Sequence, residues 1–364
     1  MKIVQVLPEL NEGGVERGVV ELNRELVLRG IESCVISAGG KLQEQITSDG
    51  GMHIQYDVCS KNILTLPLRI IRLKKILKNL NPDIIHVRSR VPAWLVHFAN
   101  KSLKIKVVST VHGFNSVSFY SRIMTNADHV ICVSNAIKEY IQKYYETPDE
   151  KITVIARGID TEVFNPSNID HEFIESFKKK WKLENSFVVS SVGRVTQLKD
   201  YETFIKAISF VKTRHPNVVG LIVGGVREDK KEYYETLKLL ASNKGLKSNI
   251  IFTGSQNKIA EIYSLSDVVV SSSKKPESFG RAVAEAIALN TPVIATDHGG
   301  VKDIILEDEN GFLFDIGDER QLSRYILKSS DLNFNGYNYI SDNFNLENMV
   351  EKTLNVYKGL NSCE

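Results

Sequence analysis

An α/β chain built as two parallel-sheet halves is what this sequence predicts, and three observations carry the prediction. Short apolar runs alternate with helical patterns from end to end, as in sheets covered by helices on both faces. At 364 residues the chain is long enough for two domains that each bury a core. The order also restarts midway. Residues 187–192, the turn at Gly193 and the helix after Tyr201 repeat the strand, glycine loop and helix of residues 3–28.

Composition narrows the class. Hydrophobic content of 42% and charged content of 25% are those of an ordinary globular protein. Lys+Arg 46 against Asp+Glu 44 leaves a net charge of +2, so no global field points to nucleic acid as a partner. Cys34, Cys59, Cys132 and Cys363 include no close pair, which fits a reducing cytoplasm and argues against a metal cluster. The apolar run at residues 3–7 is too short for a signal peptide, and no run of about 20 apolar residues could span a bilayer.

The first half opens with a buried strand at 3–7, a loop at 8–14 and an amphipathic helix at 15–28 closed by Gly30. Gly13-Gly14-Val15-Glu16-Arg17-Gly18 is not Gly-x-Gly-x-x-Gly, which disfavours a nicotinamide oxidoreductase. The glycine pair either brings backbone close to a ligand or makes a plain turn. Strands follow at 33–37 and 53–58. In the helix 68–80, Ile70, Leu73, Ile76, Leu77 and Leu80 share a face, with Lys74, Lys75 and Lys78 opposite. That basic face is either solvated or a surface for anionic lipid headgroups.

Residues 82–94 read as a strand ending in a basic loop. Arg88 and Arg90 stand at its carboxyl end, where open α/β sheets bind ligands; the alternative is a solvated loop with Trp94 plugging the core. The strand 106–111 delivers His112, backed by Gly113, to the same end of the sheet as a structural or a ligand-facing histidine. Ser134 is placed to cap the next helix. Residues 165–185 form a linker, so domains are expected at 1–165 and 166–345.

In the second half, Arg194 and Lys199 flank the loop after the strand 187–192. Two fixed cations there suit a diphosphate, or they pair with Asp200 or Glu202 at the surface. Further strand-and-turn units lie at 218–225 and 250–254. The stretch 276–296 then reads as loop, helix and buried strand. Gly280 allows close approach of backbone, and amide groups from Ser278 onward are free to meet an anion at a helix N-terminus. Glu277 and Glu285 add acceptors for sugar hydroxyls, so one segment offers what a sugar nucleotide needs. The plainer alternative makes Glu277 a capping carboxylate and pairs Glu285 with Arg281.

With Glu277 and Glu285 eight residues apart, this segment resembles the Glu-x7-Glu signature of retaining glycosyltransferases of family 4. Other motifs recur in the family's order over residues 1 to about 315: the Gly13-Gly14 loop, His112, Gly193-Arg194 with Lys199, and Gly299-Gly300 before Asp303. The resemblance implies a GT-B fold, two facing Rossmann-like domains with a cleft between them and a terminal helix, 346–364, crossing back to the first. It implies that Gly14 lies near diphosphate and acceptor, and that His112 faces the donor sugar. It also places Gly254 by the nucleobase, Glu277 on sugar hydroxyls and Glu285 on the ribose. Residues 127–134 and 152–164 resemble the closing strands of the first domain, and 310–314 a last hairpin-like strand. Three departures stand out: Asp200 replaces a glycine, Asp303 a glutamate, and Arg88-Ser89-Arg90 a second histidine. The last resembles a subgroup linked to lipopolysaccharide assembly and points to an acidic or phosphorylated acceptor.

The expected activity is therefore retaining transfer of a hexosyl unit from a UDP- or GDP-linked sugar to a glycan or lipid-linked acceptor of the cell envelope. It would take place in the cytoplasm or at the inner membrane face. Charge grows on the leaving diphosphate, so Arg194, Lys199 and the amide groups of Ser278, Phe279 and Gly280 are expected to stabilise it. No Asp-x-Asp occurs, so no metal or other cofactor is expected. Two other classes stay open: a GT-B sugar-nucleotide epimerase, and a non-catalytic nucleotide-sugar-binding protein.

Overall fold

Every strand pairing among the described residues is parallel. Parallel strands are covered on both faces, which is why most of these read as largely apolar runs rather than strict alternation. The computed structural model describes residues 1–11 and 13–362; Glu12, Cys363 and the end of the expected 346–364 helix lie outside the described residues. The chain divides into two units, one of Met1–Gly158 with the segment from Leu346, the other of Ile159–Asn345.

The first unit runs β1 (Lys2–Val6), α1 (Gly14–Leu28), β2 (Glu32–Ser37), α2 (Gln43–Ser48), β3 (Met52–Gln55), α3 (Leu66–Leu80), β4 (Ile84–Val87), α4 (Arg90–Asn100) and β5 (Lys106–Val111). It continues with α5 (Phe119–Arg122), β6 (His129–Cys132), α6 (Asn135–Tyr145) and β7 (Ile152–Val154). Its sheet order is β3-β2-β1-β4-β5-β6-β7. The C-terminal helix, Leu346–Asn361, buries Leu346, Val350, Leu354 and Tyr357 against Ile3, Ile84, Val108 and Ile131 of this unit. Ser134 caps α6 by accepting from the Ile137 amide, a contact worth about 1 kcal/mol.

The second unit runs α7 (His171–Trp181), β8 (Phe187–Val192), α8 (Tyr201–Val211), β9 (Val218–Val223), α9 (Lys231–Asn243), β10 (Ile250–Gly254) and α10 (Ile259–Ser264). Then come β11 (Val268–Ser271), α11 (Arg281–Ala288), β12 (Val293–Thr296), β13 (Gly311–Phe314), α12 (Glu319–Lys328) and α13 (Gly336–Asn343). Its sheet order is β10-β9-β8-β11-β12-β13. Both sheets therefore grow outward in both directions from the first strand. The strand order reverses between β1 and β4 in one and between β8 and β11 in the other, the switch points at which such sheets bind ligands.

Four local expectations change. The strand expected at 53–58 ends at Gln55. Residues 159–164 form no strand and belong to the second unit; the Asp160 carboxylate turns the chain by accepting from the Glu162 and Val163 amides. β13 is no hairpin strand but runs parallel to β12. Trp94 is only half-buried, because its indole donates to the Tyr120 carbonyl at 3.0 Å and stacks on Phe98 and Tyr120 instead of entering the core.

Candidate active site

At the switch point of the second unit, β8 leads through Gly193 and Arg194 to a short turn at Gln197–Lys199, and β11 leads to Ser272 and Ser273. The Ser272 hydroxyl donates to the carbonyls of Lys199 (2.9 Å) and Asp200 (3.1 Å), tying the two loops together. The Lys199 ammonium meets the Glu277 carboxylate, and Ser273 Oγ donates to the same Oε1 at 2.7 Å. Burial pushes the Glu277 carboxyl up, but Lys199, Ser273 and nearby His298 outweigh it and hold the group below its ordinary range. Both partners keep partial access to solvent, with 29% of Lys199 and 25% of Glu277 exposed. A ligand can therefore reach the pair.

The loop 277–280 is held by backbone. The Gly300 amide donates to the Glu277 carbonyl at 2.7 Å, and Gly299 sits so close that a Cβ there would lie 2.4 Å from that carbonyl oxygen. Gly299 is also left-handed at φ 75°, so both sterics and dihedral call for glycine. α11 begins only at Arg281, which places Ser278, Phe279 and Gly280 in the loop before the helix rather than in its first turn. Their amide groups have no acceptor among the described residues, while the Phe279 ring is buried against Phe344. Three backbone donors thus stand beside the carboxylate, next to the positive end of α11.

Both readings of Glu285 have structural content. It pairs with Arg281 at 2.8 Å and accepts from the Tyr263 hydroxyl at 3.2 Å, which leaves it 8% exposed. Arg194 is exposed and makes no ion pair among the described residues. Neither it nor Lys199 pairs with Asp200 or Glu202. Lys274 does so instead, at 3.1 and 3.6 Å. Asp200 stands where the family pattern has glycine, and its backbone adopts the conformation a glycine there would favour. It takes the left-handed conformation (φ 49°, ψ 50°), and its side chain caps α8 by bonding the Thr203 amide and hydroxyl. Gly254 closes β10 in a left-handed conformation beside open space.

At the switch point of the first unit a different chemistry appears. Arg88 follows β4 and donates to Gln5 Oε1 (2.6 Å) and Thr110 Oγ1 (3.4 Å), while its Nε is buried without a partner among the described residues. Burial lowers its guanidinium to about 10, partly offset by Tyr357. His86, fully buried in β4, bonds the Tyr357 hydroxyl at 2.5 Å and Thr110 at 2.6 Å, tying the C-terminal helix to the sheet. His112 follows β5. Burial, then Arg157 and Arg88, hold it well below its ordinary range and so neutral. Arg157 stands 3.3 Å from His112 Nδ1 and can only donate, so the ring proton sits on Nε2, which has no partner among the described residues. Gly14, the first residue of α1, lies against Arg157. Arg90 goes elsewhere, opening α4 with its guanidinium on Ser121 Oγ (3.0 Å) and over the Tyr120 ring.

The structure thus brings together Lys199, Glu277 and the 278–280 amides in one unit, and Arg88 and His112 in the other. It does not bring Arg90 to Arg88. Sequence reasoning missed Ser273, Lys274, Tyr263, Gln5, Thr110 and Arg157. The polar Ser271-Ser272-Ser273-Lys274 run after a buried strand was the one readable signal for the first two.

Two parallel α/β units that share the order of their first six strands, with donors and a lysine–glutamate pair at a switch point, define the class: a GT-B protein. The profile "Glycosyl transferases group 1" matches residues 173–343, and "Glycosyltransferase Family 4" matches residues 12–163. A glycosyltransferase from Rickettsia africae ESF-5 superposes with TM-score 0.92 at 30% identity, over 100% of this chain and 99% of that one. HepE from Anabaena, solved in complex with UDP, shares the fold with TM-score 0.86 at 20% identity, over 99% of this chain and 100% of that one. The Escherichia coli UDP-Gal:alpha-D-GlcNAc-diphosphoundecaprenol alpha-1,3-galactosyltransferase is 28% identical over 314 residues, 79% of this chain and 78% of that protein. The chain belongs to the group 1 glycosyltransferases.

Proposed function

We propose that this glycosyltransferase moves a hexosyl unit, with retention of configuration and without a metal, from a UDP- or GDP-linked sugar to a glycan or lipid-linked acceptor. The acceptor belongs to lipopolysaccharide or another envelope polysaccharide, and the protein acts in the cytoplasm, at the inner face of the membrane. The observation that carries the reading is the Lys199–Glu277 pair beside three amide groups that have no acceptor among the described residues. As the bond from anomeric carbon to phosphate weakens, negative charge grows on the diphosphate. Lys199, the exposed Arg194 and the amides of Ser278, Phe279 and Gly280 stabilise that charge. A diphosphate competes with Glu277 for the lysine, and the carboxylate, kept ionised, then accepts from sugar hydroxyls.

Glu285 serves the ribose, and backbone at Gly254 meets the base. In the first unit His112 offers its Nε2–H to a sugar hydroxyl, Gly14 leaves room for diphosphate and acceptor, and Arg88 serves the acceptor. The relative that acts on a diphosphoundecaprenol-linked sugar supports a lipid-linked acceptor. No helix among the described residues is long and apolar enough to cross a membrane, so contact with one would be made by a surface such as α3.

The test is transfer from a panel of nucleotide sugars to lipid-linked and free glycans, with and without a strong chelator. Transfer with a retained anomer and full activity in chelator is expected. Activity lost with the metal refutes metal independence, a changed donor without acceptor identifies an epimerase, and binding without turnover identifies a binding protein.

A further inference from the structure

Charge in the first unit is segregated to a degree the net value hides. Residues 58–127 carry twelve Lys or Arg and a single acid, Asp83, in a chain whose net charge is only +2. The same segment holds some of the most exposed large apolar side chains of the molecule: Leu64 at 91%, Ile63 at 80% and Phe119 at 77%. On α3, Leu68 and Ile71 also face outward, at helical spacing with Lys75 and Lys78. The apolar face of α3 is spent on the core through Leu73 and Leu77, so these residues form a second, outward apolar set.

Between this surface and α4 lies a pocket of about 360 Å³, within the size range of ligand sites. Ile63, Leu66, Val91, Trp94, Phe98 and Tyr120 give it apolar and aromatic walls, and no acid lines it among the described residues. Arg69 also lines it. This arginine is 6% exposed; its Nε donates to Thr65 Oγ1 (3.2 Å), its Nη2 to the Asn62 carbonyl (3.1 Å), and its Nη1 is buried with no partner among the described residues. Asp57 lies near enough to feel the guanidinium, but it is engaged by the Cys59 and Ser60 amides and forms no ion pair with Arg69. Lys61 lines the pocket too, and Arg90 stands over Tyr120 in its wall. A buried cation whose hydrogen-bond partners are all neutral, with a carboxylate only at longer range, is costly, and an anion entering beside it offsets that cost.

We propose that this pocket takes one acyl chain of an anionic phospholipid drawn from the membrane on which the protein sits. The apolar walls receive the chain, Arg69 and Lys61 neutralise the phosphate, and Leu64, Leu68, Ile71 and Phe119 enter the headgroup boundary around it. This rests on the membrane-face part of the proposed function and adds a specific binding site to it.

The full chain carrying Trp181→Phe reports the pocket through Trp94 fluorescence. It is titrated with dodecyl phosphate below its micelle concentration and with inorganic phosphate. In parallel it is sedimented with phosphatidylcholine vesicles with and without phosphatidylglycerol. Saturable binding of dodecyl phosphate, no response to inorganic phosphate and about tenfold preference for anionic vesicles are expected. Ile63→Asp, at an exposed position, and Arg69→Met should each weaken dodecyl phosphate binding about tenfold. Should Arg69→Met fail to fold, Ile63→Asp decides. No saturable binding, equal binding to the two vesicles, or unchanged affinity in Ile63→Asp overturns the proposal. Thermal stabilisation by nucleotide sugars is read in the same samples. Its persistence without lipid binding removes the pocket alone, and its loss with lipid binding intact removes the transferase reading alone.

Discussion

The two units share the order of their first six strands and differ in how they hold charge. In the second, three cations around the switch point meet carboxylates, Lys199 with Glu277, Lys274 with Asp200 and Arg281 with Glu285, while the exposed Arg194 stands without an ion pair among the described residues. In the first, Arg88 rests on Gln5 and Thr110, Arg69 on Thr65 and a carbonyl, and His86 and His112 are kept neutral by burial. The difference teaches what each surface is ready for. A paired lysine can exchange its carboxylate for a phosphate at little electrostatic cost. A cation with neutral partners gains from any anion that arrives.

The largest effect expected from breaking this contrast is in the second unit. Lys199→Met removes the cation and strands Glu277, so kcat/KM for transfer should fall about 10²–10³-fold. Adding Glu277→Gln should recover thermal stability while leaving activity low. Recovery of activity in the double variant would mean that the pair is structural.

Acid should separate the units next. His86 and His112 have folded pKa values well below their ordinary one, so the unfolded chain takes up protons first as pH falls. The stability they allow is complete above about pH 6.5 and declines below it, by about 1.4 kcal/mol per pH unit for a fully buried histidine such as His86. Glu277 is depressed from a carboxylate value, so its contribution persists until the pH falls through the carboxylate range. Hydrogen exchange followed from pH 7.5 to 5.5 should therefore show the first unit's sheet losing protection before the second's. Equal losses would refute the contrast.

The smallest effect concerns Asp200. It supplies both a left-handed residue and a helix cap, so Asp200→Ala should cost about 1–2 kcal/mol in thermal unfolding. Asp200→Gly, which relieves the dihedral, should cost less. The reverse order would show that the cap and the dihedral do not set the position's requirement.

Much of this was legible in the chain, because parallel strands announce themselves. The strands 187–192, 218–223 and 250–254 were readable to the residue, since largely apolar, β-branched runs there end at glycine or a polar turn. The 277–280 loop, Lys199 and His112 were readable from motif order. Partners across the sheet were not. That Lys274 rather than Lys199 takes Asp200, or that Tyr357 meets His86, depends on where distant segments fold, and sequence spacing carries no such information. The outward set Leu68 and Ile71 was hidden by the stronger inward stripe of the same helix. The basic segment 58–127 was hidden by averaging charge over the whole chain.

Calorimetric binding of UDP and GDP to the native chain, Arg194→Ala and Lys199→Ala tests the central claim most directly: that cations of the second unit grip the diphosphate. One of the two nucleotides should bind the native chain, and each variant should bind it at least about tenfold more weakly. Undiminished affinity in both variants would contradict the account.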